Sequence, residues 1–167
     1  MALLSVLQYP DPKLRNKALP VTVFDDKLRQ IVDDMFETMY EQNGVGLASI
    51  QVDIPQRILA IDVSDSRKEP LCVINPEIIH REGIQYEHEG CISFPGVYEK
   101  VERAAKLRLH AMDLHGKSFE IDAEGLLAVC IQHEMDHLDG VLFIDHLSRL
   151  KQERMRKKLE KIRRQTF

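Results

Sequence analysis

Leu126-Leu127-Ala128-Val129-Cys130-Ile131-Gln132-His133-Glu134-Met135-Asp136-His137-Leu138 is the stretch around which this chain of 167 residues is organised. Its first six residues are apolar on every side of a helix, which predicts a central, buried helix rather than a surface one. Its second half places two imidazoles four residues apart. Residues at that spacing share a face, so Leu126, Cys130, His133 and His137 form one stripe and both rings can reach a single metal ion. Glu134, beside the first ring, sits where it can exchange a proton with a water on that ion. Two surface histidines on an ordinary amphipathic helix would show the same spacing. The apolar run just upstream argues against that, because ionisable rings continuing a core-facing stripe need a partner.

Working outward, Asp122 is expected to cap this helix, which runs from about Ala123 to Leu138 and stops at Asp139-Gly140. Before it, Leu107, Leu109 and Ala111 alternate with polar residues as in a half-exposed strand, and Leu114 to Lys117 reads as a hairpin turn into Ser118 to Ile121. Ile58 to Ile61 and Leu71 to Ile74 are short apolar runs, expected as buried strands. Asp25 to Gln42 carries Leu28, Ile31, Val32, Met35 and Met39 at helical spacing, with Asp25 or Asp26 as cap and Asn43-Gly44 as stop. A further helix is expected over about 148–165, with Leu150, Met155, Leu159 and Ile162 docking on the domain. The order of helix, strands, then two helices predicts an α+β fold: antiparallel sheets wrapped around a central metal-binding helix, with an N-terminal and a C-terminal helix. No linker or repeat divides the chain, so residues 1–167 are read as one catalytic domain.

Two histidines do not complete a catalytic metal site, which commonly has three protein ligands and an open position. The continuation H-x-x-G-x-x-H fails, because Phe143 stands at the third ligand position. A downstream glutamate, Glu153 or Glu160, lies in a basic stretch and reads better as a partner of Lys and Arg at helical spacing. His88 and His146 are further candidates. Upstream, Glu89-Gly90-Cys91-Ile92-Ser93-Phe94-Pro95 brackets a cysteine with glycine and proline, which predicts a tight irregular turn rather than a strand interior. A thiolate there would be a strong third ligand. Gly44-Val45-Gly46-Leu47-Ala48-Ser49-Ile50-Gln51 lets a backbone approach a ligand closely and offers an uncharged amide donor.

Composition limits the function. Apolar residues make up 44% and charged residues 30%, the balance of a soluble globular protein. No apolar run reaches membrane-spanning length, and the N-terminus does not read as a signal peptide. Three widely spaced cysteines, Cys72, Cys91 and Cys130, predict a reducing compartment and a cytoplasmic protein. A net charge of -4 exerts no global pull on nucleic acid, but residues 148–167 carry nine Lys or Arg against two Glu.

Together, Gly44 to Gln51, Glu89 to Pro95 and Gln132 to Gly140 closely resemble the peptide deformylase family, which shows G-x-G-x-A-x-x-Q, E-G-C-x-S-x-P and Q-H-E-x-D-H-x-x-G in that order. Gln30 to Tyr40 also looks like the bacterial form. The resemblance implies that Cys91, His133 and His137 hold one divalent metal ion, with a water or hydroxide in the fourth position. That ion would be Fe2+, replaceable by Zn2+, Ni2+ or Co2+. Glu134 is implied as general base and then general acid, and Gln51 with the backbone N–H of Ile92 as stabilisers of the oxyanion. The implied substrate is the N-formyl-methionine end of a nascent polypeptide, and formate is released. Leu126, Val129 and Cys130 are expected to line an apolar slot for methionine, with Val45, Gly46 and Gly90 completing the substrate wall. Glu89 is expected to be a structural partner of Arg103. Ser49 stands where the family often has alanine, and Tyr98 where some bacterial members carry arginine and others tyrosine. The basic C-terminal helix could contact the ribosome, whose surface is largely anionic RNA. Two other functions fit parts of the pattern: a small HExxH metallopeptidase with a downstream Glu ligand, and a non-catalytic metal-binding module closed by His88 or His146.

Overall fold

The computed structural model describes residues 2–166. Asp26–Glu41 form α1, capped by the Asp25 carboxylate, which accepts from the Leu28 N–H at 3.0 Å. Its stop lies where the sequence places it: Asn43 turns left-handed at φ 56°, and the Gly44 N–H returns to the Met39 carbonyl at 2.9 Å. Leu28, Val32, Met35 and Met39 are buried along one face. Then follow β1 (Gly46–Ala48), a 3-10 turn over Ser49–Val52, β2 (Ile58–Ile61) and β3 (Leu71–Glu82). After them come β4 (Gln85–Cys91), β5 (Phe94–Arg103), β6 (Lys106–Met112), β7 (Ser118–Glu124) and α2 (Gly125–Leu138). A 3-10 turn over Phe143–His146 leads to α3 (Arg149–Thr166).

The strands form two sheets. Five pair antiparallel in the order β1-β2-β3-β6-β7, and β4 and β5 form a separate hairpin. Between the large sheet and α2 lies a core that includes Leu59, Ile61, Leu109 and Ile131, each fully buried. A second core joins α1 to β1 and β2. A third binds the hairpin to the turn after α2 and to α3, through Phe94, Val97, Phe143, Met155 and Leu159. The α+β architecture with antiparallel sheets around the histidine helix is therefore as expected.

Three local expectations fail. Asp122 does not cap α2: it sits in β7 opposite Arg108, which donates to its carboxylate at 2.9 Å. The ladder with β6 carries the strand on to Glu124, and Gly125, at φ 60°, makes the corner into the helix. Leu126 is not buried with its neighbours but stands exposed, at the rim of a cavity rather than against the sheet. Leu150 is exposed too, because it falls off the stripe of Met155 and Leu159 by which α3 docks. The hairpin itself is poorly marked in the sequence. Along β4 the one buried residue is the charged Glu89, so no apolar alternation betrays the strand.

Phe143 joins the hairpin to the histidine helix. Its ring meets Phe94 edge-on, with centroids 4.9 Å apart, and lies 5.8 Å from the His133 ring. Phe143→Ala should lower stability by about 3–5 kcal/mol, the usual cost of deleting a buried aromatic side chain. A urea titration measures this as a lower midpoint at unchanged slope.

Candidate metal centre

Two elements, the β4–β5 hairpin and α2, bring the donors together. Cys91 ends β4, where the pairing register shifts after Gly90 and the chain turns through Ile92 and Ser93 into β5. The turn expected around the cysteine is there, although Glu89 and Gly90 belong to the strand. His133 and His137 project from α2, their rings 5.1 Å apart. The Cys91 Sγ lies 3.4 Å from the His137 Nε2. One donor atom from each of these three residues falls within 4.8 Å of the others, and among the described residues no other group of His, Cys, Asp and Glu converges in this way. His88 lines the cavity without joining the cluster, and His146 pairs with Asp136 at 2.9 Å. Glu153 and Glu160 are exposed on α3.

The surroundings fit a cation. The His133 Nδ1 bonds the Glu89 carboxylate at 2.8 Å, which turns Nε2 toward the centre, as an outer partner does for a ligating imidazole. The Glu134 Oε1 is buried without a hydrogen-bond partner, 4.0 Å from the His133 Nε2 and 3.9 Å from the His137 Nε2. A buried carboxylate oxygen left unpaired beside three soft or borderline donors is what an ion and its water would satisfy. Burial, partly offset by His133, pushes the Glu134 carboxyl up to about 7. Burial and the neighbouring His133 hold His137 well below its usual value, so it is neutral and able to donate. At His133 burial is outweighed by the bonds to Cys91 and Glu89, which raise its pKa well above the usual range; a cation held at Nε2 would replace that proton.

Glu89 is in turn held by Arg103, with Nε and NH2 donating at 2.8 and 2.9 Å, and Arg103 also donates to Asp136 at 2.7 Å. The expected Glu89–Arg103 partnership is thus a buried, bidentate pair. The two strands of the hairpin and α2 meet in it. Asp136 and His146 extend the network toward the surface; neither was legible as a partner from spacing alone.

A cavity of about 400 Å³ opens onto these donors. Of the residues that the family resemblance implies as ligands, catalytic groups or substrate wall, all line it except His137, which is wholly buried. Val45, Val129 and Cys130 are apolar walls, with Leu126 at the rim and Ile92 and Gly90 on the hairpin side. Gly46 needs its missing side chain: a Cβ there would lie 2.6 Å from the Cys130 Sγ and 2.8 Å from the Glu134 Oε2. The Gln51 amide is oriented from both ends. Its oxygen accepts from the Ala48 N–H at 2.9 Å, so its NH2 faces the Cys91 Sγ at 3.4 Å and the Ser93 Oγ at 3.2 Å. Ser93, fully buried, belongs to the Glu89–Pro95 motif, but its partnership with Gln51 was not legible in the sequence because no local spacing links the two. The Ser49 hydroxyl, where alanine is common, is absorbed by a bond to the Gln56 carbonyl.

A cysteine sulfur and two imidazoles around a buried carboxylate, at the base of an apolar cavity, define a metal-dependent hydrolase of the HExxH kind. Comparison with known proteins narrows the class. The pattern that defines polypeptide deformylases matches residues 3–153. Peptide deformylases of Pseudomonas aeruginosa and Stutzerimonas stutzeri are each 56% identical over 167 residues, covering 99% of both chains. The crystal structure of a peptide deformylase from Legionella pneumophila superposes with a TM-score of 0.95 at 46% identity, covering 98% of this chain and 97% of that one. The chain belongs to the polypeptide deformylase family.

Burial raises the Glu89 carboxyl, but the bonds from Arg103 and His133 outweigh it and set the folded pKa below the ordinary value. A carboxylate depressed on folding stabilises above its unfolded pKa, and that stability is lost as pH falls through the folded one. Arg103→Leu should therefore cost about 3–5 kcal/mol near neutral pH by leaving Glu89 buried with the His133 ring as its one remaining side-chain partner. The cost should shrink as Glu89 protonates in acid. Urea midpoints of both proteins between about pH 7 and pH 3 would record it.

Proposed function

We propose that this chain removes the formyl group from the N-formyl-methionine end of newly made polypeptides, with Cys91, His133 and His137 holding the metal ion. The observation that carries the assignment is the unpaired Glu134 carboxylate facing the two Nε2 atoms at the base of the cavity. A divalent ion bound there supplies Lewis-acid chemistry, providing a nucleophile at neutral pH and polarising the formyl carbonyl. Glu134 takes a proton from the attacking water and returns it to the leaving amine. The Gln51 NH2 and the Ile92 N–H donate to the oxygen on which negative charge develops. Because the Gln51 amide is already oriented, little reorganisation is needed as that charge forms. Val129, Cys130, Val45 and Leu126 receive the methionine side chain, while Gly46 and Gly90 let the substrate backbone approach.

The donor set favours iron, zinc, nickel or cobalt over magnesium or calcium; ferrous iron is our choice by family resemblance. Three free cysteines fit the reducing cytoplasm, and no helix of the described residues is long and apolar enough to cross a membrane. A metallopeptidase with a downstream glutamate ligand is not supported, since Glu153 and Glu160 lie exposed on α3.

Glu134→Gln should keep its metal and lose about 10²–10⁴-fold in formate release from formyl-Met-Ala-Ser. Cys91→Ser should lose metal affinity instead, because a serine hydroxyl is a poor substitute for a thiolate. Metal analysis beside the formate assay separates the two. Near wild-type turnover in Glu134→Gln would exclude it as the proton carrier.

We further propose that α3 contacts ribosomal RNA. Arg154, Lys157, Lys158, Lys161 and Arg164 are exposed on it; the side chain of Arg163 lies outside the described residues. Met155 and Leu159 are buried in the core that braces Phe94 and Phe143, so deleting the helix would disturb the domain. Neutralising Lys157, Lys158, Lys161 and Arg164 to glutamine is the cleaner test. Ribosome co-sedimentation should weaken at low salt, with a flatter salt dependence and unchanged activity on short formyl peptides. Identical co-sedimentation at every salt concentration would rule the helix out.

A further inference from the structure

We infer that Arg67 is a positioning residue that clamps the Gly44–Gly46 wall of the cavity against Glu134 and Ile92, and so sets how tightly substrate is held. The inference rests on the deformylase reading of that cavity. Arg67 lies in the irregular segment between β2 and β3, at φ 58°. A branched-free but bulky side chain in the left-handed region persists where its surroundings hold it there. What holds it is a set of three contacts. One guanidinium nitrogen donates to the Asp62 carbonyl at 2.7 Å, a second donates to the Gly44 carbonyl, and the group lies 5.2 Å from the Tyr40 ring centroid.

These contacts close a ring of elements. The Tyr40 hydroxyl, near the end of α1, donates to the Asp62 carboxylate at 2.6 Å. The same carboxylate accepts from the backbone N–H of Ser64 at 3.0 Å and of Glu69 at 3.1 Å, which fixes the loop carrying Arg67. The Asp62 N–H donates to the Val45 carbonyl at 2.9 Å. Two successive carbonyls of the cavity wall, at Gly44 and Val45, are therefore held from behind by Arg67 and by the backbone of Asp62.

The wall has little slack on its other side. A Cβ at Gly44 would lie 2.5 Å from the Ile92 Cδ1, and one at Gly46 would meet Cys130 and Glu134. A wall released from behind moves away from the groups that face the substrate. Arg67 does not itself line the cavity, so any effect passes through Gly44. Lysine replaces it poorly, because an ammonium donates from a single atom, whereas the planar guanidinium reaches the two carbonyls from two separate nitrogens while lying over the ring.

The test compares the metal-loaded wild type with Arg67→Ala and Arg67→Lys. Formate release from formyl-Met-Ala-Ser, amide hydrogen exchange over residues 43–47 and thermal midpoints are measured together. Arg67→Ala should raise KM about tenfold, the scale of one lost charge-assisted hydrogen bond, and change kcat by less than about threefold. Exchange over residues 43–47 should accelerate, while residues 126–138 remain protected. Arg67→Lys should recover little of either, and it carries the test if the alanine variant does not fold. A lower thermal midpoint with native KM and native exchange would make Arg67 a structural brace and overturn the proposal. If the wild type itself released no formate, the deformylase reading would fall, and exchange over residues 43–47 would still decide the clamp.

Discussion

The buried pair between Glu89 and Arg103 is the constraint on which the centre depends. The thiolate and the imidazoles come from elements that share no sheet: Cys91 from the β4–β5 hairpin and the histidines from α2. Glu89 joins them, because its carboxylate takes both the guanidinium of Arg103 and the ring N–H of His133. A pair removed from water contributes little net stability, since its desolvation costs nearly as much as its attraction returns. Its value here is register. A slip of one residue in the hairpin would carry Glu89 and Cys91 to the opposite face and take from Arg103 its bidentate partner.

The remaining architecture supports that junction from both sides. The large sheet packs under the first half of α2 and fixes its depth, while Phe143 and Phe94 wedge the hairpin against its second half. α3 closes the core around Phe94 and Phe143 with Met155 and Leu159 and turns its charges outward. On the far side of the cavity the Gly44–Gly46 wall reaches Glu134 only because Gly46 has no side chain. The Glu134 carboxylate with the two imidazoles, the Cys91 sulfur and the Gln51 amide stand on three segments, α2, the β4–β5 hairpin and the turn over Ser49–Val52, and hydrogen bonds orient the His133 ring and the Gln51 amide in advance.

Much of this was readable along the chain. The α2 stripe, the α1 periodicity with its Asp25 cap and Asn43-Gly44 stop, and the β6–β7 hairpin are local patterns, and local periodicity reports them directly. The corrections share a cause. Asp122 has the chemistry of a cap, but a ladder partner in β6 holds it in a strand. Leu126 and Leu150 have the chemistry of core residues, but each falls where its helix faces a cavity rim or solvent. The β4 strand escaped notice because what it buries is an acid, and burial of an acid makes sense only with a base from another strand.

The sequence by itself determined which groups could do the chemistry: two imidazoles and a carboxylate on one helical face, a cysteine at a tight turn, and a glutamine after a glycine-rich segment. Helical spacing and turn chemistry act over a few residues, so they can be read from a few residues. The tertiary structure alone decided that Cys91, forty-two positions before His133, lies within 4.8 Å of both histidine donors. It also decided that the Gln51 amide faces inward, that Ser93 and Asp136 join the network, and that Arg67 stands behind the cavity wall. Such contacts arise from the balance of buried area, register and desolvation over the whole chain, and no local pattern encodes that balance.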